Sequence, residues 1–240
     1  MLLAPGLHRL GTGMVNSYLI VDGDDVTIID AGMPGQWKEL QAELASMGKD
    51  LGAVKALVLT HGDSDHIGFA ARLHREAGIV ASVHEADAVR ARLEVKKPSS
   101  GWGPVKAGPL ASFLWYSATH GGLRIPPVTD LSTFSDDRTL DVPGSPRIIT
   151  TPGHTPGSVS VHVPAVDAVL VGDAMTTRHV LTGAAGPGPA PFTLEPAEAN
   201  ASLDRIAATG ATWVLPGHGP AWKGGAAEAV RIARAAAPGA

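Results

Sequence analysis

Short apolar runs that end in a polar loop recur along this sequence, and they constrain its fold more than any other feature. Residues 56–60 (ALVLT), 168–172 (AVLVG) and 212–215 (TWVL) have the length and composition of buried β-strands. Each run leads within three residues to a histidine or an aspartate, namely His61, Asp173 and His218. Because ligand-binding loops follow the carboxyl ends of strands in layered folds, we expect these side chains to lie at one sheet edge.

The order of the other predicted elements divides the chain into two similar halves, each rich in strands and then helical. The first half has a hairpin over 17–30, a helix near 37–47, the strand 56–60 and a helix over 67–77. The second has strands at 147–150, 158–163, 168–172 and 212–215, with helices over 195–208 and 225–236. We therefore expect an α+β fold, a four-layer αββα sandwich formed by one domain over residues 1–240.

The segment 94–135 interrupts this order. It is rich in proline, glycine and serine, lacks clear periodicity, and contains Trp102, Phe113, Trp115 and Tyr116. We interpret it as an insertion. Its aromatic residues, with Trp115 as the representative, form either a lid that lines the substrate pocket or a small satellite core under a long loop.

Charge and composition exclude several classes of function. The chain has 19 basic and 23 acidic residues, a net charge of −4, and no long basic run, so nucleic-acid binding is not expected. No apolar run is long enough to span a membrane and no basic leader is visible, so we expect a cytoplasmic protein acting on a small molecule. The absence of cysteine restricts metal ligands to histidine and carboxylates. The oligomeric state stays open.

The densest group of possible metal ligands lies in the segment 60–68 (THGDSDHIG). His61, Asp63, Asp65 and His66 occupy four of six consecutive positions. Imidazole nitrogen and carboxylate oxygen are the donors that hold zinc, iron or manganese. The alternative is a solvated acidic turn in which Ser64 or Asp65 caps the following helix.

Three further donors follow later strands and favour the metal-binding interpretation. His154 lies between two Pro-Gly pairs, Asp173 ends an apolar run, and His218 lies in the loop Pro216–Gly219. Seven donors are about the number that two ions sharing a bridging carboxylate require.

This ordered set resembles the metallo-β-lactamase superfamily, whose pattern is H-x-H-x-D-H followed by a single histidine, a bridging aspartate and a final histidine. The resemblance extends to Asp30, which matches an early aspartate that supports the metal loop. It implies a first metal held by His61, Asp63 and His154, a second held by Asp65, His66 and His218, and Asp173 as the bridge.

One position departs from that pattern, because the second histidine of the motif is Asp63 here. A third carboxylate favours harder ions. We expect two divalent ions, with zinc first and iron or manganese as alternatives; a single occupied site is also open. Flavodiiron proteins have an acidic residue at this position, but they carry a flavodoxin domain that this chain is too short to contain.

The expected function is metal-dependent hydrolysis of a small ester-like bond, with a lactone or thioester favoured and a metal-bridging hydroxide as nucleophile. Asp65 is the expected proton donor to the leaving group. His120 and the pair Arg178–His179 are expected near the mouth of the site. The alternatives are a phosphodiesterase, a β-lactam hydrolase, a di-iron redox enzyme or a non-catalytic binding protein.

Overall fold

The computed structural model describes residues 1–95 and 103–237, and within them the strands form two large sheets and one small hairpin. In the first sheet, seven strands follow one another in chain order. They are β1 (Leu2–Ala4), β2 (Leu7–Leu10), β3 (Ser17–Asp22), β4 (Asp25–Ile29), β5 (Val54–Val58), β6 (Ala81–His84) and β7 (Leu131–Phe134). Pairing is antiparallel as far as β4 and parallel from β4 to β7.

Helices make the crossovers that the parallel pairs need. The helix α1 (Trp37–Ser46) joins β4 to β5, and α2 (Ala70–Ala77) joins β5 to β6. Between β6 and β7 the chain forms the short helix α3 (Ala88–Ala91) and the longer α4 (Ala107–Thr119).

The second sheet has five strands, in the order β14-β11-β10-β9-β8. They are β8 (Arg138–Thr139), β9 (Arg147–Thr150), β10 (Val159–Val163), β11 (Ala168–Gly172) and β14 (Trp213–Pro216). The helix α5 (Pro196–Ala207) connects the parallel neighbours β11 and β14, and α6 (Ala226–Ala235) follows β14. Pro196 begins α5 at a position where its missing N–H costs no helical hydrogen bond.

Alternation along the strands sorts the apolar side chains into separate layers. Leu19 packs on the side of α1 and α2, whereas its neighbour Ile20 faces the second sheet. Leu170 packs against the first sheet, and Val169 on the opposite face packs against α5 and α6. Three apolar cores between four layers result, which confirms the predicted αββα sandwich.

Much of the described part of the segment 94–135 forms regular elements, although its sequence shows no clear periodicity. Residues 107–119 form α4, and 131–134 form β7, which pairs in parallel with β6 at the edge of the first sheet. Periodicity does not reveal α4, because the apolar residues of this helix do not lie on a single face that packs on the core. Leu114 and Trp115 face solvent, while Tyr116 is buried. Trp102 lies outside the described residues.

The structure decides one of the two roles considered for Trp115, a place in a satellite core, and leaves the other, a place in a lid, as a prediction. Its side chain is 73% exposed, so a place in a satellite core is wrong. It is Tyr116 that packs inward, against Val15 and Met33. A lid role for this segment stays a prediction.

The range 176–192, whose glycine and proline content is typical of a loop, contains a small hairpin. Strands β12 (Thr176–Arg178) and β13 (Ala185–Gly188) pair antiparallel. Glycine and proline lower strand propensity, but backbone hydrogen bonds form this ladder without help from side chains. No helix in the described residues is long and apolar enough to cross a membrane.

Candidate metal centre

Four loops converge where the carboxyl ends of four strands meet. The loop 59–66 follows β5, the loop 151–158 follows β9, Asp173 follows β11, and His218 lies just after β14. Backbone hydrogen bonds join these loops: Val159 N donates to Thr60 O between the two sheets, and Gly217 N donates to Gly172 O within the second sheet. Fixed backbone therefore carries the side chains to one place.

The structure brings all seven predicted donors together in three groups. In each group, the ligand atoms of three residues lie within 4.8 Å of one another. The groups are His61, Asp63 and His154; Asp65, His66 and His218; and Asp173 with His61 and His66. This division coincides with the two sites and the bridge that the resemblance implies, and ligation by these residues stays a prediction.

Asp173 lies at the middle of the cluster. Its Oδ2 is 3.2 Å from His218 Nε2 and 3.7 Å from His154 Nε2, while its Oδ1 is 3.7 Å from His66 Nε2. One buried carboxylate thus faces three imidazoles, which is the position a bridging ligand needs.

Each of the four imidazoles has its Nδ1 in contact with another protein group, and this fixes the ring orientation. The partners are Thr60 Oγ1 for His61, Asp30 Oδ2 for His66, Thr193 Oγ1 for His154 and the carbonyl of Met14 for His218. The Nε2 atoms are thereby directed toward the centre of the cluster.

Several inward-facing atoms lack a hydrogen-bond partner in the described part of the chain. They are Nε2 of His61, His66 and His154 and Oδ1 of Asp173, all buried. Buried polar atoms are nearly always hydrogen-bonded, so a cluster of such atoms in one place needs an explanation. Divalent ions would satisfy these nitrogen and oxygen donors together, and the residues therefore fit the metals that the resemblance implies.

Asp30 supports the metal loop, as the resemblance implies. Its carboxylate accepts hydrogen bonds from Thr60 N at 2.7 Å and Thr60 Oγ1 at 2.8 Å, and it contacts His66 Nδ1 at 2.9 Å. Its own backbone has φ +62°, a left-handed conformation uncommon for a residue with a side chain. The carboxylate holds both the loop backbone and the ring of a candidate ligand.

Burial and opposite charges set the protonation of the cluster. Burial would lower the pKa of His66, but Asp30, Asp173 and Asp65 raise it to about 9. Burial would raise the pKa of Asp173, yet His218, His66 and His154 hold it far below its usual range. Burial lowers the pKa of His61 well below its usual range. An incoming divalent cation would therefore displace a proton from His66.

Asp87 is a positioning residue that sequence reasoning missed. It is fully buried, and its Oδ2 accepts hydrogen bonds from Gly62 N at 2.7 Å and Thr155 Oγ1 at 2.8 Å. Its Oδ1 accepts from Gly157 N at 2.9 Å. One carboxylate thus ties the loop of His61 to the loop of His154. The one sequence feature that points to Asp87 is its position shortly after β6, at the same sheet edge as the donors.

The glycines of these two loops permit that close approach. A Cβ at Gly157 would lie 2.8 Å from Cβ of Asp87. A Cβ at Gly62 would lie 2.7 Å from the backbone oxygen of Asp87 and 2.7 Å from Ala91 N. Any side chain at either position would push the metal loops away from the segment 87–91.

Arg90, on the same segment, contacts the residue that departs from the family pattern. Its Nη1 lies 3.0 Å from Asp63 Oδ1, and both side chains are largely buried. The other oxygen of Asp63, Oδ2, lies 3.6 Å from His154 Nε2. The two oxygens of this carboxylate therefore have different surroundings.

An apolar cavity of about 730 Å³ lies beside the cluster. Its wall includes Ala174, which directly follows Asp173, and Thr193, whose hydroxyl contacts His154. Most of the remaining wall is apolar, and its polar side chains are His179, Thr193, Asn200 and Arg234. His179 lines this cavity, and His120 stacks on Tyr116 with 3.9 Å between ring centroids. A place of either histidine at the mouth of the site stays a prediction.

Comparison with known proteins agrees with this geometry. The family model described as the metallo-beta-lactamase superfamily matches residues 10–218, a range that contains all seven donors. The probable metallo-hydrolase YflN of Bacillus subtilis (strain 168) is 27% identical over 232 residues, which cover 90% of this chain and 84% of YflN.

Two solved structures are similar over nearly the whole chain. The metallo-beta-lactamase family protein TTHA1429 from Thermus thermophilus has a TM-score of 0.68 at 24% identity, over 96% of this chain and 79% of that one. TTHA1623, solved in a di-iron-bound form, has a TM-score of 0.61 at 25% identity, over 97% of this chain and 98% of that one.

Proposed function

This chain belongs to the metallo-beta-lactamase superfamily, and from that premise we propose that it hydrolyses a small ester-like bond, with lactones and thioesters as the favoured substrates. The observation that carries the proposal is the convergence of seven histidine and aspartate donors on one buried point at the edge of both sheets. A set of this kind suits hydrolysis without a side-chain nucleophile.

In this proposal the residues divide into two sets with Asp173 between them. His61, Asp63 and His154 would hold one ion, and Asp65, His66 and His218 would hold the other. Divalent ions there would polarise a scissile carbonyl and make a water molecule nucleophilic near neutral pH. The di-iron form of TTHA1623 supports two ions and keeps iron beside zinc and manganese as a candidate.

Asp65 is the side chain proposed to move a proton to the leaving group. Its side chain is 16% exposed, compared with 5% for Asp173, so a leaving group has more access to it. Its Oδ2 lies 3.4 Å from His218 Nε2, which fixes the carboxylate beside the cluster. A carboxylate so placed can accept a proton from water and return it to the departing oxygen or sulfur.

The cavity supports an apolar acyl group in the substrate. Its volume is in the range of small-molecule pockets, and its walls include Met175, Phe192 and Leu203. Ala174, which follows Asp173 in the chain, lies in its wall, and the proposal places the acyl chain of the substrate there while its carbonyl reaches the cluster. The wall has few polar side chains, Asn200 among them, so it can make only a few polar contacts with a substrate.

Two measurements test the proposal together. Protein purified without added metal is analysed for its elements, and the loaded protein is assayed with lactone, thioester, β-lactam and phosphodiester substrates. We expect about two zinc, iron or manganese ions per chain and hydrolysis of the lactone or thioester. Protein that retains no metal after incubation with these ions, or hydrolysis of the phosphodiester alone, would contradict the proposal.

The position of the acyl group is testable with a matched pair of variants on α5. Asn200→Trp fills the cavity from its exposed rim, while Glu198→Trp adds the same ring to the same helix away from the cavity wall. We expect Asn200→Trp to lower the ratio of kcat/KM for a decanoyl over a butanoyl thioester about tenfold. Each methylene that loses its burial costs about 0.8 kcal/mol, or roughly fourfold.

The ratio should stay at the parent value in Glu198→Trp. If α4 covers the chain as the predicted lid, Trp115→Ala will change the ratio and Asn200→Trp will not. That result would place the acyl group outside the cavity.

A further inference from the structure

We propose that Arg90 is a positioning residue for the first metal site, and that Asp63 and Arg90 together replace the histidine that the family pattern has at position 63. The inference rests on the metal centre proposed above. It concerns how a carboxylate can stand at a position where the pattern has a neutral ring, and it assigns a role to a buried arginine outside the seven donors.

The first observation is the geometry of the pair. Arg90 is 9% exposed, and its Nη1 holds Asp63 Oδ1 at 3.0 Å. Asp63 forms a group with His61 and His154, and its Oδ2 lies 3.6 Å from His154 Nε2. The guanidinium is always charged, so this single charge-assisted hydrogen bond holds the Oδ1 atom of Asp63 and offsets its negative charge. Asp63 is thereby directed toward the site through one oxygen.

The second observation is the rigid support beneath the pair. The backbone at Gly62 packs so closely on the segment 87–91 that a Cβ there would lie 3.0 Å from Cβ of Arg90. Asp87, three residues before Arg90, accepts a hydrogen bond from Gly62 N. The loop that contains Asp63 and the segment that contains Arg90 are therefore held in a fixed position relative to each other.

Charge explains why the two residues belong together. The H-x-H pattern would place two carboxylates, Asp65 and Asp173, beside two divalent ions. Asp63 adds a third negative charge, and the positive charge of Arg90 cancels it. The pair is neutral, as an imidazole is, yet it still presents an oxygen donor. Histidine at position 63 alone would leave the buried cation of Arg90 without this carboxylate and close to the ions, which is unfavourable.

A double-mutant cycle tests the coupling without reference to activity. The parent, Asp63→His, Arg90→Met and the double variant are stripped of metal. Zn²⁺ binding is then measured by competition with a chromophoric chelator, with elemental analysis of the loaded forms. We expect Asp63→His to weaken one of the two Zn²⁺ sites at least tenfold. Adding Arg90→Met to it should bring that site back to within about threefold of the parent.

Arg92→Met in the Asp63→His background is the matched control, because it removes a nearby arginine that lies two residues further along the chain. We expect no recovery there. Thermal unfolding of each metal-free protein checks that it folds. If Asp63→His does not fold, the isosteric Asp63→Asn takes its place in the same cycle.

The outcomes separate this inference from the proposed function. If the parent binds two Zn²⁺ ions and the effects of the two substitutions simply multiply, the coupling is refuted while the metal centre stands. If the parent binds no Zn²⁺, the proposed function fails with it. Recovery in the Arg92 control would show that general positive charge is the cause, and would overturn the role of Arg90.

Discussion

Asp173→Ala is expected to lower the hydrolytic kcat/KM roughly a hundredfold or more while the chain stays folded. The Asp173 carboxylate is the group that faces both candidate sites, within 3.2 to 3.7 Å of His218, His66 and His154. Changes to partners that only orient metal ligands cost ten- to a hundredfold, so loss of the bridging position should cost at least the upper value. His66→Ala should act in the same direction.

The fold should survive because the three apolar cores contain none of the seven donors, and a 240-residue chain buries enough surface without them. Activity, bound metal and the far-ultraviolet circular dichroism spectrum are measured on the same samples. Asp24→Ala, which removes a fully exposed carboxylate, is the control and should match the parent. A parent-like rate in Asp173→Ala would refute the assignment of the centre.

The metal loops were predictable from the sequence because each donor follows a strand directly. His61 comes three residues after β5, and Asp173 comes one residue after β11. Once the strands are recognised, the sheets bring such residues to a common edge. Local sequence was therefore enough to identify all seven donors, and the structure brings them into three groups in which the ligand atoms lie within 4.8 Å of one another.

The supports of these loops were harder to find, because the position of Asp87 three residues after β6 does not show what its side chain contacts. Asp87 contacts Gly62 across 25 residues and Gly157 across 70, and Arg90 contacts Asp63 across 27. Such contacts depend on the tertiary fold, and neither residue lies in a motif. The helix α4 escaped prediction for a different reason, since helix periodicity reports burial on one face and Leu114 and Trp115 are exposed.

The net charge of the first candidate site also depends on a tertiary contact that the sequence does not show. From sequence, Asp63 adds an uncompensated carboxylate and therefore favours harder ions. In the structure that charge is met by Arg90, at 3.0 Å. The oxygen donor remains, so a preference for harder ions can persist, but the net charge of the site does not provide it.

Asp87→Asn is expected to lower the free energy of unfolding of the metal-free protein by about 3 kcal/mol. The carboxylate accepts three hydrogen bonds in a fully buried place, whereas an amide has one oxygen and turns an NH₂ group toward the remaining donors. Leaving a buried donor without an acceptor costs about 1 to 3 kcal/mol, and two oxygens are reduced to one. Chemical denaturation of the stripped protein measures the change.

The same substitution should weaken the two ions unequally, because Asp87 ties together the loops of His61 and His154 and contacts neither His66 nor His218. We expect the affinity for one Zn²⁺ to fall about ten- to a hundredfold and the other to change less. Asp50→Asn is the control, since its exposed carboxylate accepts from Gly52 N alone and the change should stay within about 0.5 kcal/mol. Equal weakening of both ions, or parent-like stability in Asp87→Asn, would contradict a role for this carboxylate in joining the two loops.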